Sequence, residues 1–316
     1  MTSTHDILAD LALSRGTLDR VGRERRDPDV ISRLLADRRT RVAEVRDGRL
    51  LVGDDGSRAH LVLREPQSSD ADRLVVHLGR DDTGIAYVAV ISSDPADEDQ
   101  SATPATPETL GWRTLRQSGP GLNDRDAGIF TAALALANWH HSHARCSRCG
   151  GVTDTVQAGW VRRCEVDQSE HYPRTDPAVI MSVIDPDERL LLGRSPAWPE
   201  QQFSVLAGFV EPGESFEHAV GREVLEEVGI VIDETHYLGN QPWPFPSSVM
   251  IGFESHTTQT DLTLDPIEMA EARWVSRAEY RRLLRSSAIR VPSGISIAKR
   301  IIEHWLGETV ETAAAG

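Results

Sequence analysis

The sequence predicts an α+β protein built from three parts. Strand-like runs and helical patterns alternate without a regular strand–helix–strand repeat, which favours layers of helices on a mixed sheet. The 316 residues are enough for two or three domains. All three cysteines occur in one short segment. We therefore expect an N-terminal α/β domain over residues 1–143, a cysteine-bearing segment over 144–173 and a C-terminal domain over 174–316.

The N-terminal part is predicted to contain several strands and one long helix. Strand-like composition occurs in five short runs, at residues 41–45, 50–52, 60–63, 74–78 and 87–91. Residues 92–109 are rich in Ser, Asp, Pro and Thr, so we expect an exposed, mobile loop there. Residues 124–143 then place apolar side chains in a helical register: Ile129, Phe130, Leu134, Leu136 and Trp139.

The cysteine-bearing segment predicts a structural zinc site. Cys146 and Cys149 form a C-x-x-C pair, and Cys164 follows after fourteen residues. A second C-x-x-C would place its last ligand at position 167, which is Asp167. Three thiolates and one carboxylate are an allowed ligand set for Zn²⁺. The alternatives for the fourth ligand are Glu165, His171 or one of His140, His141 and His143, and a ribbon that folds without metal also remains open.

Charge and cysteine use limit the function classes. The formal net charge is −15, so non-specific attraction to DNA or RNA is not expected. An acidic protein can still act on anionic substrates when a divalent metal neutralises the site. No apolar run reaches about 18 residues, no secretory signal is visible, and the cysteines indicate metal rather than disulfides. We expect a cytoplasmic protein without membrane spans.

The C-terminal part alternates strands and helices. Two strands are predicted at residues 178–184 and 190–193, joined by an Asp-Pro-Asp turn. Residues 203–209 form a further run that leads into a helix. A strand at 250–255 and a helix at 295–306 complete the predicted elements.

Residues 208–230 predict an acidic helix that follows a glycine turn. Pro212, Gly213 and Glu214 form the turn, and Ser215 is a suitable N-cap, so the helix should begin near Ser215.

Three carboxylates of that helix point to divalent metal. Glu223, Glu226 and Glu227 fall within roughly a 100° arc, beside an apolar arc that can pack. Clustered carboxylates repel one another unless a cation compensates, and hard oxygen ligands suit Mg²⁺ or Mn²⁺. These ions in turn suit phosphate oxygens, while Arg222 can orient one carboxylate. An ordinary solvated acidic face is the alternative interpretation.

Residues 241–248 read Gln-Pro-Trp-Pro-Phe-Pro-Ser-Ser. The three prolines predict a stiff, extended segment that cannot join a central strand. Trp243 and Phe245 are suited to stacking on flat rings. A structural or partner-binding proline-rich loop is the alternative interpretation.

Together these motifs resemble the NudC-type NADH pyrophosphatases, a family of Nudix hydrolases. Residues 208–230 agree with every fixed position of the Nudix box, and residues 241–248 fit the family's QPWPFPxS motif. The order of an N-terminal domain, a zinc ribbon and a Nudix domain is also similar, so the resemblance covers nearly the whole chain. It departs at Asn240, where serine is usual, and at Asp167, where the fourth zinc cysteine is usual. The resemblance implies a C-terminal Nudix fold, with a mixed sheet sandwiched by helices.

The resemblance also implies roles for individual residues. The metal-binding positions are the backbone carbonyl of Ala207 and the side chains of Glu223, Glu226, Glu227 and Glu268, with Glu271 as the alternative to Glu268. Among these, Glu223, Glu226 and Glu227 are the catalytic carboxylates. The substrate-binding positions are Phe209, Tyr172, Gln241, Pro242, Trp243, Pro244, Phe245, Pro246, Ser247, Ser248, Ala298 and Arg116.

The implied reaction is hydrolysis of NAD(H) to NMN(H) and AMP, together with removal of NAD caps from RNA. Magnesium or manganese held by the glutamates would neutralise the pyrophosphate, and Glu226 or Glu223 would accept the proton of the attacking water. The family also implies a homodimer in which Tyr172 approaches the site of the other subunit. ADP-ribose and diadenosine polyphosphates remain open as substrates. A non-catalytic NAD or RNA sensor is the alternative, although every box carboxylate is present.

Overall fold

The computed structural model describes residues 8, 11–54, 56, 58–92, 109–290, 292 and 294–315. Most of the predicted loop at 92–109 lies outside the described residues. The chain divides into two compact units. The N-terminal unit comprises Leu13–Thr175 and Trp243–Ser247, and the C-terminal unit comprises Met1–Ala12, Asp176–Pro242 and Ser248–Gly316. No helix in the described part of the chain is both long and apolar enough to cross a membrane.

The N-terminal unit contains a six-stranded mixed sheet. Its strands are β1 (Arg41–Arg46), β2 (Arg49–Asp54), β3 (Ala59–Leu61), β4 (Leu74–Arg80), β5 (Ala86–Ser92) and β6 (Thr109–Thr114). The order is β3-β2-β1-β5-β4, with β6 also paired to β2. Strands β1 and β5 run parallel, whereas the other pairs are antiparallel. The five predicted strands are confirmed, and β6 was missed because its Thr-Leu-Gly-Trp-Arg-Thr sequence follows the low-complexity segment.

In the described part of this unit, three α-helices accompany the sheet: α1 (Val30–Ala36), α2 (Leu115–Ser118) and α3 (Asp124–Ser142). The predicted long helix is confirmed as α3, which is capped by Asn123 and contacts β1, β4 and β5. Helix α1 buries Val30 and Leu34 against a cluster that includes Val42 and Val88. A short three-stranded antiparallel sheet follows, with β7 (Thr153–Val156), β8 (Val161–Cys164) and β9 (Glu170–His171).

The C-terminal unit contains a second six-stranded mixed sheet. Its strands are β10 (Asp176–Ile184), β11 (Leu190–Arg194), β12 (Leu206–Phe209), β13 (Glu234–Trp243), β14 (Ser248–His256) and β15 (Glu271–Val275). The order is β13-β14-β10-β11-β15, with β12 also paired to β10. Strands β10 and β14 are parallel, and β10 is antiparallel to β11 and β12.

Helices cover both faces of this sheet. Successive side chains of β10 point to opposite faces, so each face has apolar residues for a helix to cover. The helices are α4 (Phe216–Val228), α5 (Arg277–Arg285), α6 (Ile297–Leu306) and α7 (Val310–Ala315). Val179 and Met181 pack in one cluster with residues of α4. Ile180 and Ile184 pack in the other cluster with residues of α5 and α6. The predicted sandwich of a mixed sheet between helices is therefore confirmed.

The proline-rich segment is more regular than the sequence predicts. Gln241, Pro242 and Trp243 end β13, residues 244–247 form a turn, and Ser248 begins β14. Strand β13 lies at the edge of the sheet, where Pro242 is tolerated because one side of the strand needs no partner. The three prolines thus lie in an edge strand or in the turn, as predicted, and Trp243 ends a strand rather than lying in a loop. The prediction is wrong for Ser248, which begins the central strand β14.

Candidate active site

The turn and helix of residues 208–230 position the acidic side chains. Ser215 is the N-cap of α4, and its hydroxyl accepts a hydrogen bond from the His218 amide at 3.2 Å. The helix ends at Gly229, which has a φ of 73° and so adopts a left-handed conformation that favours glycine. Apolar side chains of α4, including Val224 and Val228, are fully buried against the sheet. Packing of this arc fixes the rotation of the helix and therefore the direction of the carboxylates.

The three helix carboxylates differ in environment. Glu223 and Glu227 are each only 8% exposed, whereas the Glu226 side chain is 57% exposed. The predicted arc is therefore split, with two glutamates facing the protein and one facing solvent.

Gly208 brings the backbone of β12 directly against Glu223. A Cβ placed on Gly208 would lie 1.9 Å from Cδ of Glu223, so only glycine leaves room for this carboxylate. Ala207, whose carbonyl is a predicted metal ligand, immediately precedes this contact and pairs with Ile180 of β10. The strand and the helix thus hold a backbone segment and a carboxylate at van der Waals distance.

Arg222 joins several groups of the motif, rather than the single carboxylate predicted. Its guanidinium donates to Glu214 at 2.9 Å, to Glu223 at 2.9 Å and to Glu226 at 3.0 Å. It also donates to the Phe209 carbonyl at 2.8 Å. These charge-assisted bonds raise the pKa of Arg222 and lower that of Glu214, whose carboxylate also accepts the Glu211 amide. The arginine therefore fixes the turn to the helix and leaves Glu227 outside its reach.

Glu227 is a buried carboxylate that lacks a compensating partner. Burial raises its pKa to about 8, and the nearby charges of Glu223, Glu268 and Glu226 act in the same direction. Its Oε2 atom is buried and has no hydrogen-bond partner among the described residues. Burial also raises the pKa of Glu223, although Arg222 opposes this shift. Such a group favours either a proton or a cation, which fits a divalent metal.

Glu268 is the downstream carboxylate whose charge acts on this cluster. It is exposed, and its charge contributes to the raised pKa of both Glu223 and Glu227. Glu271, the alternative, has its carboxylate 3.7 Å from the Arg194 guanidinium. The electrostatics therefore favour Glu268 over Glu271 as a metal ligand.

The predicted ligand atoms of the cysteine-bearing segment lie closer together than the carboxylate oxygens of the box glutamates do. One ligand atom from each of Cys146, Cys149, Cys164 and Asp167 lies within 4.8 Å of all the others. Within the described ranges, no other set of three or more His, Cys, Asp or Glu side chains brings its ligand atoms this close together. The box glutamates consequently need side-chain adjustment to share one ion, which is expected for uncompensated like charges.

Hydrogen bonds prepare the cysteine cluster for metal. The Ser169 hydroxyl, followed by other donors, lowers the pKa of the Cys146 thiol to about 6. The Asp167 carboxylate accepts Ser169 Oγ at 2.5 Å and the Ser169 amide at 3.0 Å, and its pKa is lowered. The Sγ atoms of Cys149 and Cys164 are 3.4 Å apart. A backbone hydrogen bond from Asp167 lowers the pKa of Cys164, but burial and the side chains of Asp167 and Cys149 raise it overall to about 11. Three cysteine sulfurs and one carboxylate fit Zn²⁺, which displaces thiol protons on binding.

The aromatic side chains of the proline-rich segment lie with Arg116 in the N-terminal unit. The Arg116 guanidinium carbon is 3.9 Å from the Phe245 ring centre and 4.8 Å from the Trp243 ring centre. The two rings contact each other edge to face at 4.9 Å. Burial lowers the pKa of Arg116, and no carboxylate lies within ion-pair distance of it in the described part of the chain. Arg116, Trp243 and Phe245 therefore form one contiguous cluster, called here the aromatic unit.

Asn138 is a residue that the sequence interpretation missed. Its Nδ2 donates to the carbonyls of Pro244 at 3.1 Å and Pro246 at 3.0 Å. It therefore fixes the aromatic turn to α3. The available signal was a single amide side chain between Ala137 and Trp139, after the apolar middle of α3, and such a signal does not by itself reveal its partner.

The other predicted substrate residues differ in burial and in their hydrogen-bond partners. Gln241 is fully buried and donates to the Ile295 carbonyl at 2.7 Å, and Ser248 is also buried. Ala298 is buried at the start of α6, where its amide donates to Ser296 Oγ. Phe209 and Tyr172 are exposed, and the Tyr172 hydroxyl donates to Glu170 at 2.8 Å. Pro242 and Pro246 are exposed, whereas Ser247 is half-buried.

Comparisons with known proteins agree with these motifs. Residues 174–292 match the NUDIX domain, residues 39–139 match the NADH pyrophosphatase-like rudimentary NUDIX domain, and residues 141–172 match the NADH pyrophosphatase zinc ribbon domain.

Curated relatives share most of the chain. The NAD-capped RNA hydrolase NudC of Mycobacterium bovis is 38% identical over 311 residues, covering 93% of this chain and 94% of that protein. The Mycobacterium tuberculosis NAD-capped RNA hydrolase NudC shows the same identity and coverage. The human NAD-capped RNA hydrolase NUDT12 is 38% identical over 197 residues, which is 58% of this chain and 43% of that protein. The chain therefore belongs to the NudC-type NADH pyrophosphatases of the Nudix hydrolase superfamily.

Proposed function

We propose that this protein is a divalent-metal-dependent hydrolase that cleaves NAD(H) to NMN(H) and AMP and removes NAD caps from RNA. The observation that carries the proposal is Glu227, a buried carboxylate with an unpartnered oxygen and a pKa near 8 beside three further glutamates. A sensor that has lost catalysis would not need this electrostatic cost. The names of the relatives support the choice of NAD(H) and NAD-capped RNA as substrates.

The chain's own groups would divide the work at the pyrophosphate. The carbonyl of Ala207 and the carboxylates of Glu223, Glu226, Glu227 and Glu268 would hold the ions. Mg²⁺ or Mn²⁺ bound there supplies positive charge for the phosphate oxygens and lowers the pKa of water. Glu226 is the most exposed of the three box carboxylates on α4 and can accept a proton, whereas Arg222 keeps the turn and Glu223 in place.

The substrate rings and phosphates would be recognised by the aromatic unit and its surroundings. Arg116 offers a partly desolvated guanidinium for phosphate, and Trp243 and Phe245 offer ring faces or edges for stacking. Phe209, Tyr172, the backbone at Ala298 and the flanking residues of the motif are proposed as further contacts. Because Gln241 is fully buried, we assign its side chain to holding the Ile295 carbonyl.

We further propose a homodimer in which the exposed Tyr172 approaches the site of a second copy, and a division into domains at 1–143, 144–173 and 174–316. The three free, clustered cysteines support a reducing compartment, such as the cytoplasm. Light scattering after gel filtration would measure the oligomeric state directly.

Product analysis tests the proposed reaction. The purified protein should convert NADH to NMNH and AMP with Mg²⁺ or Mn²⁺, and should convert NAD-capped RNA to 5′-monophosphate RNA. Chelation by EDTA should abolish both reactions. Binding of NADH without any product, at either metal, would instead support the sensor.

Removal of the indole at position 243 should weaken recognition more than chemistry. Stacking on an aromatic side chain contributes about 1–3 kcal/mol per base, so Trp243→Ala should raise KM for NADH by roughly tenfold and change kcat little. The preference for NADH over other dinucleotides should fall as well. Steady-state kinetics measure both effects. Trp198→Ala, which removes another partly exposed indole, is the matched control, and an unchanged KM and preference in Trp243→Ala would remove the aromatic unit from recognition.

Loss of a cysteine ligand should lower stability rather than turnover. Cys146→Ser is expected to reduce the zinc content and to lower the free energy of unfolding by about 2 kcal/mol or more, because metal binding contributes folding energy. Elemental analysis and thermal denaturation measure these changes. Ser147→Ala in the same turn should retain zinc. A Cys146→Ser protein with unaltered melting would show that the segment folds without metal.

A further inference from the structure

A cavity of about 640 Å³ lies within the N-terminal unit. Its walls come from residues 25–28, 30 and 31, from Ala71, Arg73 and the start of β4, and from the β7–β8 hairpin. The volume falls within the range of small-molecule sites, which is about 300–1,000 Å³. Neither the box glutamates nor the aromatic unit contributes to it.

The cavity wall carries a local excess of positive charge. Its charged residues are Arg25, Arg26, Arg73, Arg163 and Asp27. The one carboxylate, Asp27, is already bonded at 2.7 Å to an arginine outside the cavity. Four guanidinium groups in one cavity contrast with the net charge of −15 for the chain.

Among the described residues, two of these arginines form ion pairs with a carboxylate and two do not. Arg73 pairs with Glu44 at 3.2 Å, and Arg163 pairs with Glu170 at 2.7 Å. For Arg25 and Arg26, no carboxylate lies within ion-pair distance in the described part of the chain. Arg25 and Arg26 are adjacent in sequence, within one turn of 3₁₀ helix, and the charge of Asp19 acts on Arg25 without a salt bridge.

Arg25 is held rigidly and partly out of water. Its guanidinium carbon is 3.7 Å from the centre of the Trp160 ring, and its Nη2 donates to the Arg20 carbonyl at 2.6 Å. Its Nε is buried without a partner among the described residues. Burial, followed by the nearby charge of Arg20, lowers the pKa of Arg25 to about 10. An anion in the cavity would offset both the loss of hydration of the Arg25 guanidinium and its repulsion by Arg20.

Another part of the wall is a turn with an uncommon backbone. Gln157, Ala158 and Gly159 line the cavity and all have positive φ, at 49°, 52° and 89°. Two adjacent non-glycine residues in this conformation cost energy, and such sites concentrate where backbone amides or side chains meet ligands. The turn is attached to α3, because the Gly159 carbonyl accepts a hydrogen bond from His140 Nε2 at 2.8 Å.

We propose that this cavity is a second phosphate-binding site, separate from the hydrolytic centre, in which Arg25 and Arg26 take the phosphate group of a nucleotide or of an RNA chain. Guanidinium groups match phosphate oxygens in a bidentate geometry that no other side chain offers. A phosphodiester of RNA and the phosphate of a free nucleotide present the same chemistry to these groups. The site extends the proposed function but does not depend on it.

Direct binding without turnover tests the site. The full chain, without added Mg²⁺ or Mn²⁺, is titrated with a labelled twelve-nucleotide RNA that lacks any cap, with AMP and with tripolyphosphate. The variants are Arg26→Glu, Arg25→Gln and, as the matched control, Arg23→Glu, which changes an exposed arginine just before the same turn. Arg26 is exposed as well, so Arg26→Glu should fold normally, and circular dichroism checks this.

The expected result is a dissociation constant at least tenfold higher in Arg26→Glu and Arg25→Gln, with less than a twofold change in Arg23→Glu. A loss confined to RNA identifies the occupant as a nucleic acid phosphodiester, and a loss confined to AMP or tripolyphosphate identifies a free nucleotide or polyphosphate. If folded Arg26→Glu and Arg25→Gln bind all three probes as the wild type does, or if the wild type binds none, the proposal is overturned. NADH hydrolysis, measured in parallel, reports on the hydrolytic centre alone.

Discussion

Glu227→Gln is expected to lower kcat for NADH by at least ~10²-fold and, at the same time, to stabilise the metal-free protein above pH 8. The loss in rate is the scale of removing one strong electrostatic contribution from a reaction site. The gain in stability follows from the burial of Glu227 among other carboxylates, since the amide has nearly the same shape and carries no charge.

The pH dependence of this effect has a definite sign. The pKa of Glu227 is raised in the folded protein from its ordinary 4.5 to about 8. Below pH 4.5 both the folded and the unfolded chain hold the proton, so stability from this group is complete. As the pH rises towards 8, only the unfolded chain releases the proton, and the folded state loses stability on the order of a few kcal/mol. Glu227→Gln should flatten this decline in metal-free protein.

Thermal denaturation between pH 5 and pH 9 in EDTA, together with kinetics in saturating Mg²⁺, measures both halves of the prediction. Glu217→Gln is the matched control, because Glu217 is an exposed glutamate near the start of the same helix. It should change neither the rate nor the pH profile. Near-normal turnover in Glu227→Gln would refute the metal-binding assignment, and an unchanged pH profile would show that Glu227 is not the strained carboxylate.

The sequence predicts the C-terminal fold and the acidic helix because their signals are local. Apolar spacing sets the buried face of α4, and Ser215 and Gly229 mark its ends, so the helix and its carboxylates could be placed directly. The proline content of residues 241–248 also predicted that the prolines avoid a central strand, and they lie in the edge strand β13 and in the turn that follows it. What these local signals could not give is the difference in burial between Glu226 and its neighbours, which depends on how α4 rotates against β12.

Contacts between distant parts of the chain account for what was missed. Asn138 and Arg116 meet the aromatic turn across more than one hundred positions, and no spacing rule connects an amide in α3 to a carbonyl after β13. Arg222 was expected to pair once, because a helix register shows only its neighbours on α4. Its bonds to Glu214 and to the Phe209 carbonyl depend on the path of the preceding turn.

Gly208→Ala is expected to remove most of the activity while leaving the protein folded. The new methyl group would lie 1.9 Å from Cδ of Glu223, where two atoms cannot coexist, so either the carboxylate or β12 must move. The side chain is the softer of the two, because Ala207 and Gly208 are paired to β10 on one edge. Displacing a reacting group by about 1 Å typically costs on the order of 10²-fold in rate. Kinetics at saturating Mg²⁺ should therefore show a lower kcat rather than only a weaker affinity for NADH.

Gly221→Ala provides the matched control, since it makes the same substitution within the same motif. A Cβ on Gly221 meets no atom within 4 Å, and alanine in a helix interior is favoured over glycine by roughly 0.5–1 kcal/mol. Gly221→Ala should thus melt at a higher temperature and retain activity. If Gly208→Ala also keeps its activity, the Glu223 carboxylate can move away from β12 without loss of rate. The close approach of β12 to α4 would then not be needed for metal binding. If Gly208→Ala alone loses activity with intact melting, the position of one carboxylate against one backbone segment controls the rate.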